Sequence, residues 1–259
     1  MREGTRTGVV FASFGTTYDA ARASCIDAVA ADVAAAFPGA MSCQAYTSSI
    51  VRRVLAGRGV EVPDVRGTLG RLAEAGVRDA VVQPGHLMPG HEYDKLLRQA
   101  QACRGMFDRL RVGAPLLSGS EDVDALLRAV AARHPARPGR AVVLMGHGTD
   151  HFANVVYEAL GFHAQVIGRP DVLVGTVEGY PTLDVVMRLM EGRGFSRVLL
   201  APLMLVAGDH AENDMAGEGP DSWASRLRAA GYEVACDLHG LGELPAVRRM
   251  YVGHALSAR

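Results

Sequence analysis

Short apolar runs alternate with longer amphipathic segments along the whole chain, and this alternation narrows the fold more than any other feature of the sequence. In the first half, Val9–Phe14, Met41–Tyr46, Asp79–Gln83 and Leu110–Val112 read as strands. Tyr18–Phe37, Val65–Ala75, Glu92–Cys103 and Asp122–Arg133 read as helices, the last with Ser120 as its expected N-cap. The pattern then restarts. Ala141–Met145, Val172–Thr176, Val198–Pro202 and Tyr232–Cys236 are strand candidates. His151–Leu160, Thr182–Glu191, Asp221–Ala230 and Ala246–Leu256 are helix candidates. Strands that are apolar throughout, separated by helices, predict parallel sheets covered on both faces, an α/β fold.

A faint internal repeat divides the pattern in two. SFGTTYDAA (Ser13–Ala21) resembles GHGTDHFAN (Gly146–Asn154), and HLMPGHEYD (His86–Asp94) resembles MLVAGDHAEND (Met204–Asp214). Each of these segments follows a strand. The expectation is two similar Rossmann-like lobes, residues 1–135 and 136–259, with a cleft between them at the carboxyl ends of the strands. The break is expected in HPARPGR, His134–Arg140.

Composition excludes several function classes. With 49% hydrophobic and 21% charged residues the chain is globular rather than disordered. A net charge of -1 provides no global field for nucleic acid or anionic lipid. Four scattered cysteines form no CxxC pair, which argues for reduced thiols rather than a zinc knuckle or redox motif. The opening MREGTRTG leads into an apolar stretch too short for a signal segment, and no run spans a bilayer. A cytoplasmic protein binding neither membrane nor nucleic acid is expected.

Nine histidines carry the sharpest chemical signal. In open α/β sheets ligands bind beyond the carboxyl ends of strands. His147 directly follows AVVLM, His210 follows VLLAPLM, Glu178 follows VLVGT, and His86, His91 and Glu92 follow DAVVQ. No HExxH motif is present, and the candidates other than the closely spaced His147 and His151 follow different strands, so a metal site that joins them must be assembled from several loops. Imidazole and carboxylate suit a first-row divalent ion such as Co2+, Fe2+, Ni2+ or Zn2+. The glycine loops Ser13-Phe14-Gly15-Thr16-Thr17 and Gly146-His147-Gly148-Thr149 offer backbone N–H groups and hydroxyls to a carboxylate or phosphate. Neither loop fits a dinucleotide or P-loop pattern, so no nucleotide is expected. Arg52, with Arg53 beside it, can pair with substrate carboxylates or cover a solvated helix face.

GHGTDHFANVVYEAL, VGTVEGYPTLDVV and APLMLVAGDHAENDMAG, together with VVFASFGTTYDAAR, AYTSSIVRR and QPGHLMPGHEYDKL, resemble the anaerobic, CbiK-type sirohydrochlorin cobaltochelatases, class II tetrapyrrole chelatases. The resemblance runs through nearly the whole chain. It implies ATP-independent insertion of Co2+ into sirohydrochlorin on the oxygen-independent route to cobalamin. It assigns His147, Glu178 and His210 to the metal, and His147 and Glu92 to catalysis. Ser13, Gly15, Thr16, Arg52 and Gly148 then become candidates for holding the carboxylates of the tetrapyrrole. The proline-rich PGHLMPGHEYD departs from the family's usual pattern, which leaves the roles of His86 and His91 open. The competing readings are a related chelatase for Fe2+ or Ni2+ and a metal or tetrapyrrole carrier without turnover. Homo-oligomers are compatible with all three.

Overall fold

The computed structural model describes residues 6–259, so residues 1–5 of the MREGTRTG opening lie outside the described part. Two compact units are present, described residues 6–118 with 245–259, and residues 119–244. The division differs from the expected break at 134–140. Helix Ser120–Arg133 packs with helix Val155–Val166 and so belongs to the second unit. The terminal helix Pro245–Leu256 returns to the first unit, where it packs on helix Ala28–Ala35. HPARPGR is an ordinary helix-to-strand turn, and Pro and Gly mark such turns as readily as they mark linkers.

The first unit contains β1 (Arg6–Ser13), β2 (Met41–Tyr46), β3 (Val77–Pro84) and β4 (Arg109–Val112), paired in the order β2-β1-β3-β4. The second contains β5 (Arg140–Gly146), β6 (Val172–Thr176), β7 (Arg197–Pro202) and β8 (Glu233–Cys236), in the order β6-β5-β7-β8. Every pairing is parallel. Both sheets have the same topology, so the expected two-lobed α/β architecture with flanking helices is present. The central strands are apolar at nearly every position because helices cover both faces. Ala141, Val143 and Met145 of β5 enter a core with Leu183, Val186 and Trp223, while Val142 and Leu144 are buried on the opposite face.

Local capping sets the helix starts. Ser48 accepts from Val51 N at 3.2 Å and opens helix Ser49–Gly57, which periodicity alone did not predict. Asp64 accepts from Gly67 N at 2.8 Å and opens Val65–Glu74. Ser120 is the first residue of its helix, with Gly119 in the cap position, so the expected Ser120 cap is displaced by one residue. Among the described residues no helix is long and apolar enough to cross a membrane.

In each sheet the first strand sends its connection to one side and its other neighbour lies on the opposite side. The post-strand loops therefore diverge and open a crevice at the carboxyl end, between β1 and β3 in one unit and between β5 and β7 in the other.

Candidate metal centre

His147 is the first residue after β5, Glu178 the second after β6, and His210 the eighth after β7. One ligand atom from each lies within 4.8 Å of the other two. The imidazoles of His147 and His210 stand edge to face, with centroids 4.6 Å apart. Nitrogen and oxygen ligands sit about 2.0–2.2 Å from a first-row ion, which sets them about 3–4 Å apart around it. Small side-chain rotations therefore close this group on a single ion. The three side chains are 46%, 60% and 30% exposed, which leaves open coordination positions.

The loops that carry them are held tightly. Gly148 adopts φ +86, and a Cβ there would come within 2.4 Å of Gly179 N. Only glycine lets the two loops approach this closely. Asn154 fastens the same loops together: its Oδ1 accepts from Thr149 N at 3.0 Å and its Nδ2 donates to Tyr180 O at 2.6 Å. Tyr157 lies beneath, accepting from Gly148 N at 3.3 Å, and burial raises its phenol above the ordinary range.

Hydrogen bonding assigns the ring protons. His147 Nδ1 lies 2.9 Å from Gly148 O. A carbonyl only accepts, so Nδ1 carries the proton and Nε2 keeps its lone pair. His210 Nδ1 lies 2.5 Å from Asp214 Oδ2, with the same consequence for its Nε2. His151 is set the other way. Its Nδ1 accepts from Ala153 N at 3.0 Å, so it caps the turn Phe152–Asn154.

The other candidate residues fall in the first unit, or inside turns. Glu92 stands in the first turn of helix His91–Cys103, with Lys95 Nζ 3.5 Å from its carboxylate. Lys95 also donates to Thr47 O. His86 Nε2 lies 3.3 Å from Thr47 Oγ1, and its Nδ1 is buried without a partner. Desolvation pushes His86 down to about 4, opposed by Glu92 and reinforced by Lys95. Three candidates for substrate carboxylates are drawn into the local structure. Ser13 is fully buried, Thr16 Oγ1 is engaged by Tyr18 N at 3.2 Å, and Gly148 N is committed to Tyr157. Arg52 is half-buried, 4.0 Å from Asp64, and its Nε is buried without a partner.

The repeat is also visible in the backbone. Thr47 N→Ser13 O and Ser48 N→Phe14 O recur as Val177 N→Gly146 O and Glu178 N→His147 O. Gly85 N→Ala12 O and Leu116 N→His86 O recur as Leu203 N→Met145 O and Leu241 N→Met204 O. Phe14, Ser48 and His86 thus stand where His147, Glu178 and Met204 stand. Glu92, the eighth residue after Pro84, stands where His210, the eighth after Pro202, stands.

Residues 7–259 match the cobalt chelatase (CbiK) family. The chain belongs to that family. It is 39% identical over 251 residues to the sirohydrochlorin cobaltochelatase of Salmonella typhimurium, covering 96% of this chain and 95% of that one. It is 36% identical to the sirohydrochlorin cobaltochelatase CbiKC of Nitratidesulfovibrio vulgaris, covering 98% of this chain and 91% of that one. Among solved structures, SirB from Bacillus subtilis with Fe3+ superposes with a TM-score of 0.67 at 14% identity, over 98% of this chain and 95% of that one. At that identity the likeness bears on the fold alone. Asp214, next to His210, was not reached from the sequence, because an i,i+4 His–Asp pair carries no signal distinct from an ordinary polar helix face.

Proposed function

We propose that this member of the CbiK family is a sirohydrochlorin cobaltochelatase that inserts Co2+ without ATP, on the oxygen-independent route to cobalamin. The convergence of His147, Glu178 and His210 on one ion-sized space carries this reading. The relatives named for the same activity at 36–39% identity support it.

The reaction exchanges Co2+ for two pyrrole N–H protons, so the site must hold an ion loosely and accept protons. Two imidazoles and one carboxylate displace part of the ion's water shell, and the exposed side leaves positions for macrocycle nitrogens. The Glu178 carboxylate offsets part of the ion's charge and lies 3.7 Å from His147 Nδ1. Once Co2+ passes to the macrocycle, the His147 Nε2 lone pair is free to take a proton, and exposed Glu178 offers that proton a way to solvent. Glu92, oriented by Lys95, is the carboxylate we assign to the outgoing proton traffic in the first unit. Arg52 and the backbone of the Gly15 loop are assigned to the peripheral carboxylates. A metal or tetrapyrrole carrier would have no use for proton acceptors beside the ion.

The test follows the absorbance of sirohydrochlorin with Co2+, Fe2+ or Ni2+ and no nucleotide present. Acceleration over buffer is expected with Co2+. Stoichiometric binding of metal or tetrapyrrole without turnover would replace this reading with the carrier, and faster turnover with Fe2+ or Ni2+ would change the assigned metal.

A further inference from the structure

The two ligating histidines differ in what holds their other nitrogen. His147 Nδ1 donates to a neutral backbone carbonyl, Gly148 O, at 2.9 Å. His210 Nδ1 donates to a carboxylate, Asp214 Oδ2, at 2.5 Å. We infer that Asp214 is a positioning residue for metal capture: it locks the tautomer and ring orientation of His210 and makes that histidine the stronger of the two ligands. This inference rests on the metal-centre reading given above.

The local backbone explains the pairing. Residues His210–Met215 form a π-helical turn, the wide-pitch geometry that recurs at functional sites. Two side-chain pairs span it in parallel, Asn213 Nδ2 to Asp209 Oδ1 at 2.9 Å and His210 to Asp214. Ala211 and Met215, also four apart, are buried and fix the turn to the core. The ring of His210 is thus held from below by Asp214 on an anchored turn, and its Nε2 points away from that carboxylate.

Asp214 is not itself a candidate ligand for the ion. The group whose ligand atoms can share an ion contains His147, Glu178 and His210 and omits Asp214. An ionised carboxylate bound to Nδ1–H raises the basicity of the opposite nitrogen more than a carbonyl does, and losing such a partner costs about 10–100-fold in metal affinity. The asymmetry divides the labour. His210 with Asp214 retains the ion on arrival, and the weaker donor His147 releases it first and so becomes available to a proton.

The experiment titrates Co2+ into the full chain without tetrapyrrole, following its ligand-field absorbance, for wild type, His210→Ala, Asp214→Ala and Asp214→Asn. Insertion kinetics are then measured with Co2+ and sirohydrochlorin varied separately. Asp214→Ala is expected to weaken Co2+ binding about 10–100-fold and to raise KM for Co2+ by a similar factor, with KM for sirohydrochlorin unmoved. Asp214→Asn keeps an acceptor oxygen for Nδ1–H and should recover part of that loss, leaving about a threefold or greater deficit because an amide polarises imidazole less. The isosteric asparagine carries the test if the alanine chain does not fold. Wild-type Co2+ affinity in both Asp214 variants, with His210→Ala defective, overturns the role of Asp214 alone. Wild-type affinity in His210→Ala overturns the metal centre, and Asp214 with it.

Discussion

The two units share a strand order and a set of loop hydrogen bonds, yet only one carries an ion-sized cluster of ligands among the described residues. At corresponding positions the first unit has Phe14, Ser48 and Glu92 where the second has His147, Glu178 and His210. Gly15 and Gly148 match as well, both at positive φ. The fold therefore supplies three loop positions at the end of a switch point, and residue identity decides what they do. In the first unit the same positions make structural contacts. Ser48 caps a helix, Phe14 is half exposed, and Glu92 is tied to Lys95. Substituting matched positions in both units tests whether this division is real.

The largest difference is expected at the residue after the first strand of each unit. His147→Ala removes a ligand and a proton acceptor together, so Co2+ insertion should fall about 10²–10⁴-fold at unchanged circular dichroism. Phe14→Ala removes no ligating atom and should leave Co2+ binding by the free chain unchanged. Near wild-type turnover in folded His147→Ala would reduce His147 to a turn residue and erase the contrast.

The glycines come next. Alanine at Gly15 or Gly148 is forced into a left-handed conformation costing about 1–3 kcal/mol, so both variants should lose stability in thermal unfolding. The added methyl meets different neighbours. At position 148 it strikes the backbone of Gly179 at 2.4 Å, beside Glu178, whereas at position 15 it strikes the Tyr46 ring at 2.6 Å. Only Gly148→Ala should therefore weaken Co2+ binding as well. Equal Co2+ affinity in the two variants would mean that the close approach of the His147 and Glu178 loops does not set the centre.

A smaller contrast separates Glu178 from Ser48. Glu178→Gln keeps the shape and removes the charge opposite the ion, and should lower Co2+ affinity about tenfold without a change in stability. Ser48→Ala removes the cap of helix Ser49–Gly57 and should cost about 1 kcal/mol of stability without touching Co2+ affinity. A stability loss in the first variant or an affinity loss in the second would blur the assignment of site and scaffold.

These contrasts also show which parts of the molecule were legible beforehand. All eight strands were visible, because strands buried on both faces must be apolar runs whatever surrounds them. Helix Ser49–Gly57 was not, since its short, arginine-bearing stretch shows little beyond the serine that caps it. The division between units was not legible either. Nothing local in Pro245–Leu256 says which sheet it will cover, and that is decided by its fit to helix Ala28–Ala35. Post-strand position is a sequence property and raised His147, Glu178 and His210 together with His86, His91 and Glu92; the family resemblance is what assigned the first three to the metal. The turns that engage Thr16 Oγ1 and the Gly148 N–H are three-dimensional closures, which no local sequence pattern displays.

The smallest effect distinguishes His86 from Met204, its counterpart in the second unit. His86 is held near a pKa of about 4, chiefly by desolvation, with one ring nitrogen buried and unpartnered. In the unfolded chain a histidine takes its proton near the ordinary value of about 6.5. Between these values the unfolded state binds more protons than the folded state, so stability must fall as pH drops. The contribution of His86 is fully present above about pH 6.5 and is lost progressively as pH falls from there toward about 4. At pH 5.5 the loss should be about 1 kcal/mol relative to pH 7.5. Met204 takes no proton, so His86→Met places the second unit's residue in the first and should flatten this part of the profile. Urea unfolding of both chains at pH 7.5, 6.5 and 5.5 reads the difference directly. Parallel profiles would mean that the His86 ring reaches water in the folded state, and that the Thr47–Lys95–Glu92 corner of the first unit is open rather than closed around it.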